Sequence, residues 1–162
     1  MKKIIATLVF IFATVTFSFS QDFKKNAIGI RIGGGDGAFT EANYQHRFDE
    51  HNRLEAGIGW SGTSYWSSWA VTGMYQWVMP IAGGFEWYLG LGPMVGHWNE
   101  VYVDYYGGDG GVYVSGVLIA GAQYVFPEIP LQISLDIRPE IAIYNRWDDV
   151  GGGFGISIRY LF

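Results

Sequence analysis

The chain ends on FGISIRYLF, Phe154–Phe162. Phe154, Ile156, Ile158, Tyr160 and Phe162 fall on one side of an extended backbone, and Gly155, Ser157, Arg159 and Leu161 fall on the other. Successive Cβ atoms of a strand point to opposite faces, so this alternation marks a strand between two unlike environments. One environment takes a column of large apolar and aromatic groups. The other takes small residues and a charge.

The same period recurs upstream. Ala27–Gly33, Phe39–Phe48, Arg53–Trp60, Trp69–Val78, Phe85–Gly96, Val112–Phe126 and Leu131–Ile141 each alternate, which with the last segment predicts eight strands. Val112–Phe126 is the least regular, because Val117 and Ile119 interrupt its polar face. Asp49–Asn52, Met79–Gly84 and Pro127–Pro130 read as short turns. Ser61–Ser68, Trp98–Gly111 and Tyr144–Gly153 read as longer loops, with the short Gly34–Gly37 on their side. Short turns at one end and longer loops at the other match a membrane barrel, and an even strand count brings both termini to the short-turn end.

Alternation alone does not say which face is outside. A soluble barrel would turn its apolar face inward around a ligand. Three features oppose that arrangement. The polar face is rich in Gly and Ala, which suit a crowded interior. Lys, the usual guard of a soluble strand edge, is absent after Lys25. Trp60, Trp69, Tyr75, Trp77, Phe85 and Trp87 carry too much bulk for the inside of eight strands. With the apolar face on lipid, Tyr44, Phe48, Tyr75, Trp77, Phe85, Trp87, Tyr124, Phe126, Tyr160 and Phe162 gather towards the short-turn ends. Trp60 and Trp69 gather near the loops, and Ile and Leu fill the middle. Aromatic girdles around an apolar band are the pattern of a transmembrane barrel.

Such a barrel must close. An unpaired backbone group in lipid costs several kcal/mol, so the last strand is expected to pair with the first. Pro93 and Pro139 cannot donate to a ladder, and bulges are expected there. The inward face then carries Arg31, Glu41, Arg47, Arg53, Glu55, Glu86, Asp136, Arg138, Glu140 and Arg159. Charges in so narrow a space must be paired, which predicts a salt-bridge network that plugs the lumen in preference to an ion path.

No catalytic constellation emerges. His46 falls on the lipid-facing register and His51 in a short turn. His97 ends the fifth strand beside Trp98, and Ser115 and Glu140 would meet it only by chance of register. The loops carry Asp36, Glu100, Asp104, Asp109, Asp148 and Asp149 with Tyr65, Trp66, Trp98, Tyr102, Tyr105, Tyr106 and Trp147. They lack the EF-hand spacing, and a solvated outer surface is the simpler reading. The runs Gly33–Gly35, Gly107–Gly111 and Gly151–Gly153 open no helix that could hold a phosphate, and read as turns or flexible loops. No metal, cofactor or catalytic residue is assigned.

The other end of the chain points to the same compartment. Lys2 and Lys3 precede the apolar run Ile4–Phe17, and Ser18 and Ser20 occupy small-residue positions. This predicts a signal peptide over 1–20, cut between Ser20 and Gln21, and one barrel domain over 21–162. The chain has no Cys, which excludes disulfides and thiolate metal sites. Its formal charge is −5, or −7 once Lys2 and Lys3 are removed, which argues against nucleic-acid binding.

From the closing strand, the girdles, the strand count and the signal sequence, the chain resembles the small eight-stranded outer-membrane β-barrels of the OmpA and OmpX kind. The resemblance implies an all-β, antiparallel, up-and-down transmembrane barrel in the outer membrane. It implies contact with outer-membrane lipid, and insertion by the barrel assembly machinery through Ile158, Tyr160 and Phe162. The leading expectation for function is a non-enzymatic barrel with a plugged lumen, whose loops meet an extracellular partner or support envelope integrity. A narrow channel, a lipid A-modifying enzyme and a secreted ligand-binding barrel are the alternatives.

Overall fold

The computed structural model describes residues 24–35, 38–62, 66–100, 110–145 and 150–162. They form eight strands: β1 (Asn26–Gly34), β2 (Phe39–Arg47), β3 (Asn52–Gly62), β4 (Trp66–Ala82), β5 (Phe85–Glu100), β6 (Gly110–Val125), β7 (Leu131–Tyr144) and β8 (Val150–Leu161). Each pairs antiparallel with the next, and β8 pairs with β1 to close the barrel. The closing seam runs from Ala27–Leu161 through Ile30–Ile158 to Gly34–Phe154. At its lower end the Asn26 and Phe162 backbones exchange two hydrogen bonds of 3.1 and 2.9 Å, so the ladder extends to the last residue.

The outward face is apolar, as the alternation predicts. Ile28, Ile30, Ile32, Leu135, Ile137, Ile156 and Ile158 are all exposed on it. Its aromatic residues pair near the short turns: Phe85 with Tyr124, Tyr124 with Phe126, and Tyr75 with Trp77, at ring separations of 4.6, 4.7 and 5.2 Å. Near the loops Trp60 is the cross-strand partner of Trp69, which stacks on His97. Both girdles are therefore present.

Four local expectations need correction. The wall is taller than the alternation suggests, because backbone pairing continues where the side-chain pattern lapses. β4 and β5 run on to Trp66–Glu100, and β7 and β8 to Ile141–Val150, through stretches read as loop. The Met79–Gly84 turn shrinks to Gly83–Gly84, with φ of 61° and 88°, while β4 reaches Ala82 past a register shift between Pro80 and Ala82. Neither Pro93 nor Pro139 makes a bulge. Pairing passes from Thr72–Met94 to Tyr75–Leu91, and from Val117–Glu140 to Ala120–Ile137, without a change of register. The prolines remove a donor and leave the spacing intact. The shift in β6–β7 lies instead at Val114/Ser115, opposite Ile143.

Gly33, Gly34, Gly110, Gly111 and Gly151–Gly153 are strand rather than turn, and Gly35 is a bend just past β1. A Cβ on Gly33 would lie 2.2 Å from the Phe154 carbonyl oxygen, and one on Gly153 would lie 2.1 Å from that of Gly34. Close approach of β1, β8 and β7 at the loop end demands residues without side chains. Residues 1–20 lie outside the described residues. So do Asp36, Tyr65, Tyr102, Asp104, Tyr105, Tyr106, Asp109, Trp147, Asp148 and Asp149.

Candidate functional site: the barrel interior

The inward positions of β1, β2, β3, β7 and β8 carry most of the charge. Every fully enclosed carboxylate there has a guanidinium partner. Arg31 reaches over β8 to Asp136 on β7, with Nη2 at 2.7 Å and Nε at 2.9 Å from Oδ1. Arg138 contacts Glu41 at 2.7 Å and Glu55 at 3.1 Å. Arg159 contacts the other Glu55 oxygen at 3.0 Å, and donates from Nε to Asn43 and from Nη1 to Ser134 at 2.8 Å each. Gln45 adds a further donor to Glu55 at 2.5 Å. Glu55 thus gathers two arginines and an amide, as an enclosed carboxylate needs for stability.

Nearer the short turns, Arg47 contacts Glu86 at 2.5 Å, and Gln123 donates to the same Glu86 oxygen. Gln123 accepts from Arg53 Nη1 at 2.8 Å and from Gln132 at 3.1 Å. Arg53 also donates from Nε to Gln76 at 2.5 Å, and its guanidinium lies 4.6 Å from the centre of the Tyr88 ring. It has no carboxylate partner among the described residues, unlike the other enclosed arginines. Glu140 is half-buried towards the loop end.

The other side of the lumen is apolar. Ala70, Met74, Val78, Tyr88, Met94, Val117 and Ile119, from β4, β5 and β6, pack as one buried cluster. Val117 and Ile119 spoil the polar alternation of β6 because they face this cluster from inside. The sequence reading missed this division of the lumen, and the irregular β6 was its visible trace. It also gave no role to the amides: Asn43, Gln45, Gln76, Gln123 and Gln132 are buried, four of them hydrogen-bond a charged group, and Gln123 bridges Arg53 and Glu86.

Glycines make room for the long side chains. An added Cβ on Gly29 would lie 2.6 Å from Arg159 Cγ, on Gly155 2.5 Å from the Arg31 guanidinium, and on Gly57 2.6 Å from the Glu41 carboxyl. A large inward group thus lies over a bare stretch of the neighbouring strand. This is how eight strands hold so much charge.

The histidine candidates do not assemble. His97 stacks outward on Trp69 at 6.5 Å, whereas Ser115 is buried on the inward face. The sheet separates them. His46 faces outward and shares the Asn26 side chain with Tyr44, through contacts of 2.8 and 2.7 Å. His51 sits in the β2–β3 turn. There the Asp49 carboxylate accepts from the His51 and Asn52 backbone amides at 2.7 and 2.8 Å, and from the Asn52 side chain. These hydrogen bonds, the Asn52 side chain first, lower the Asp49 pKa below the ordinary carboxylate value.

No protein-family model matches the sequence, and no curated protein does either. Solved structures do match. The N-terminal β-barrel domain of Pseudomonas aeruginosa OprF aligns with a TM-score of 0.69 at 11% identity, covering 86% of this chain and 98% of that one. Neisserial surface protein A aligns at 0.64 and 11% identity, covering 85% and 95%. The outer membrane enzyme PagL aligns at 0.56 and 9% identity, covering 84% and 99%. Identities this low speak for architecture alone. With its closed eight-strand ladder, apolar outer face and charged interior, the chain has the fold of the small eight-stranded outer-membrane β-barrels.

Proposed function

We propose that this is a non-enzymatic integral outer-membrane protein whose lumen is plugged by its own side chains, with the longer loops serving surface contact or envelope integrity. The observation that carries this reading is the occupied interior. Arg138 and Arg159 reach across the barrel to Glu41 and Glu55, Arg31 reaches over β8 to Asp136, and Met74, Val78, Met94, Val117 and Ile119 occupy the remaining side. A steady water path would require several of these contacts to break together. A polar chain rich in Arg and Gln is also a poor proton relay, because neither group exchanges protons readily at neutral pH.

The export reading rests on Lys2, Lys3 and the apolar run before Ser20. Recognition by the assembly machinery rests on Ile158, Tyr160 and Phe162, which alternate on the outward face of the closing seam from its middle to its short-turn end. The likeness to PagL, an outer membrane enzyme, keeps an enzymatic role, here lipid A modification, as the competing reading. Against it stands the separation of His97 and Ser115 on opposite faces of the sheet.

Planar bilayer recording of the refolded barrel tests the plug. Silence, or rare brief openings, is expected. A steady open conductance would replace the plug with a channel. Lipid A that changes in mass when the protein is produced, and does not when His97→Ala replaces it, would establish an enzyme instead.

A further inference from the structure

Among the fully buried charges of the interior, one guanidinium touches no carboxylate. Arg31, Arg53, Arg138 and Arg159 are buried, against Glu41, Glu55 and Asp136. Arg31, Arg138 and Arg159 have carboxylate partners, and Glu86 nearby is held by Arg47. Arg53, fully buried, touches only amides and a ring, and Glu55, two residues along the same face of β3, is already held by Arg138 and Arg159. An enclosed charge with only a shared, more distant counter-charge is disfavoured.

The detail of the contact shows what is missing. Nε and Nη2 form one edge of the planar guanidinium, a fork that a carboxylate accepts with both oxygens. At Arg53 the fork meets Gln76, its direct cross-strand partner. The Gln76 oxygen takes Nε at 2.5 Å. The rest of that amide is an NH2 group, which can only donate. Arg53 Nη2 and Gln76 Nε2 are accordingly both buried donors without an acceptor among the described residues. Two donors flank one hydrogen bond, on a guanidinium with no carboxylate in contact.

We propose that this fork is a binding site for a small monovalent anion of halide size, accepting from Arg53 Nη2 and Gln76 Nε2. A water molecule would satisfy the donors and leave the charge. A single negative charge satisfies both. Complete burial of Arg53 and Gln76 argues against phosphate or a larger organic acid.

Bromide is the probe. The refolded barrel is unfolded by heat in detergent micelles, in sodium bromide or in sodium gluconate at equal ionic strength, across a range of bromide concentrations. Wild type should show a saturable upward shift of several degrees in bromide alone, as linkage requires of a ligand bound only to the folded state. Gln76→Glu supplies a tethered carboxylate to the same fork. It should raise the midpoint in gluconate and abolish the bromide response. Crystals grown in bromide should show an anomalous peak touching Nη2 of Arg53, absent in the variant. Absence of a saturable response in wild type overturns the site, as does an unchanged response in Gln76→Glu. A water peak without anomalous signal at that position overturns it equally.

Discussion

Glu55 is the residue on which the interior turns. It holds Arg138 and Arg159 at once and accepts from Gln45. Removing it leaves two enclosed guanidinium groups short of charge. Glu55→Ala should therefore destabilise the barrel by about 3–5 kcal/mol, the usual cost of stranding a buried partner. Urea titration in lipid vesicles measures this, and a loss below 1 kcal/mol would show that the network relaxes around the gap. Asp49 acts outside the wall. Its pKa is lowered in the folded turn, so its contribution is complete above the unfolded carboxylate pKa and fades as pH falls through the folded one. The amide proton shifts of His51 and Asn52 should follow that acid titration in NMR spectra, and Asp49→Ala should abolish the dependence.

At the scale of the element, the two faces of a strand obey different rules. Gly29 faces inward on the closing seam, where an added Cβ would lie 2.1 Å from the Ile158 carbonyl oxygen and 2.7 Å from Arg159 Cα. Gly73 faces outward on β4, where an added Cβ meets nothing within 4 Å. Gly29→Ala should cost about 1–3 kcal/mol by forcing β1 from β8, the range of an overpacked core. Gly73→Ala should be neutral, or stabilising by up to about 1 kcal/mol through lost freedom of the unfolded chain. Equilibrium unfolding of both variants side by side checks the contrast. Ile156→Arg, also outward on β8, puts a charge into the apolar band and should cost about 2–4 kcal/mol.

The whole molecule is a closed ladder with a filled interior. Because β8 pairs with β1 along its length, no edge remains to start unzipping. The folded protein should keep its compact mobility in detergent gels until boiled, and then migrate more slowly or faster as an unfolded chain. One band, unchanged by heating, would contradict a detergent-resistant barrel. The division into a charged side and an apolar side is also a property of the whole, since β4, β5 and β6 supply the apolar cluster and the other five strands supply the charges, Glu86 of β5 apart.

The features legible along the chain are local in origin. Period-two alternation assigns every residue of Ile28–Ile32 or Phe154–Phe162 to a face, because side-chain direction depends only on the extended backbone around it. Girdle position follows from where an aromatic lies along its strand. That is why strand count, topology and outward face were legible, and why errors gathered where alternation fades, at Trp66–Ser68, Met79–Ala82 and Gly151–Gly153. Only the tertiary structure decided who meets whom inside. Arg31 and Asp136 are 105 residues apart, and Arg159 and Glu55 are 104. Their contacts depend on the register of several ladders and on closure at the β1–β8 seam. Arg53 meets the Gln76 amide within its own β3–β4 hairpin, where Arg138 and Arg159 reach carboxylates on distant strands. No spacing along the chain records those distant contacts, because they cross a lumen that exists only once the sheet has closed.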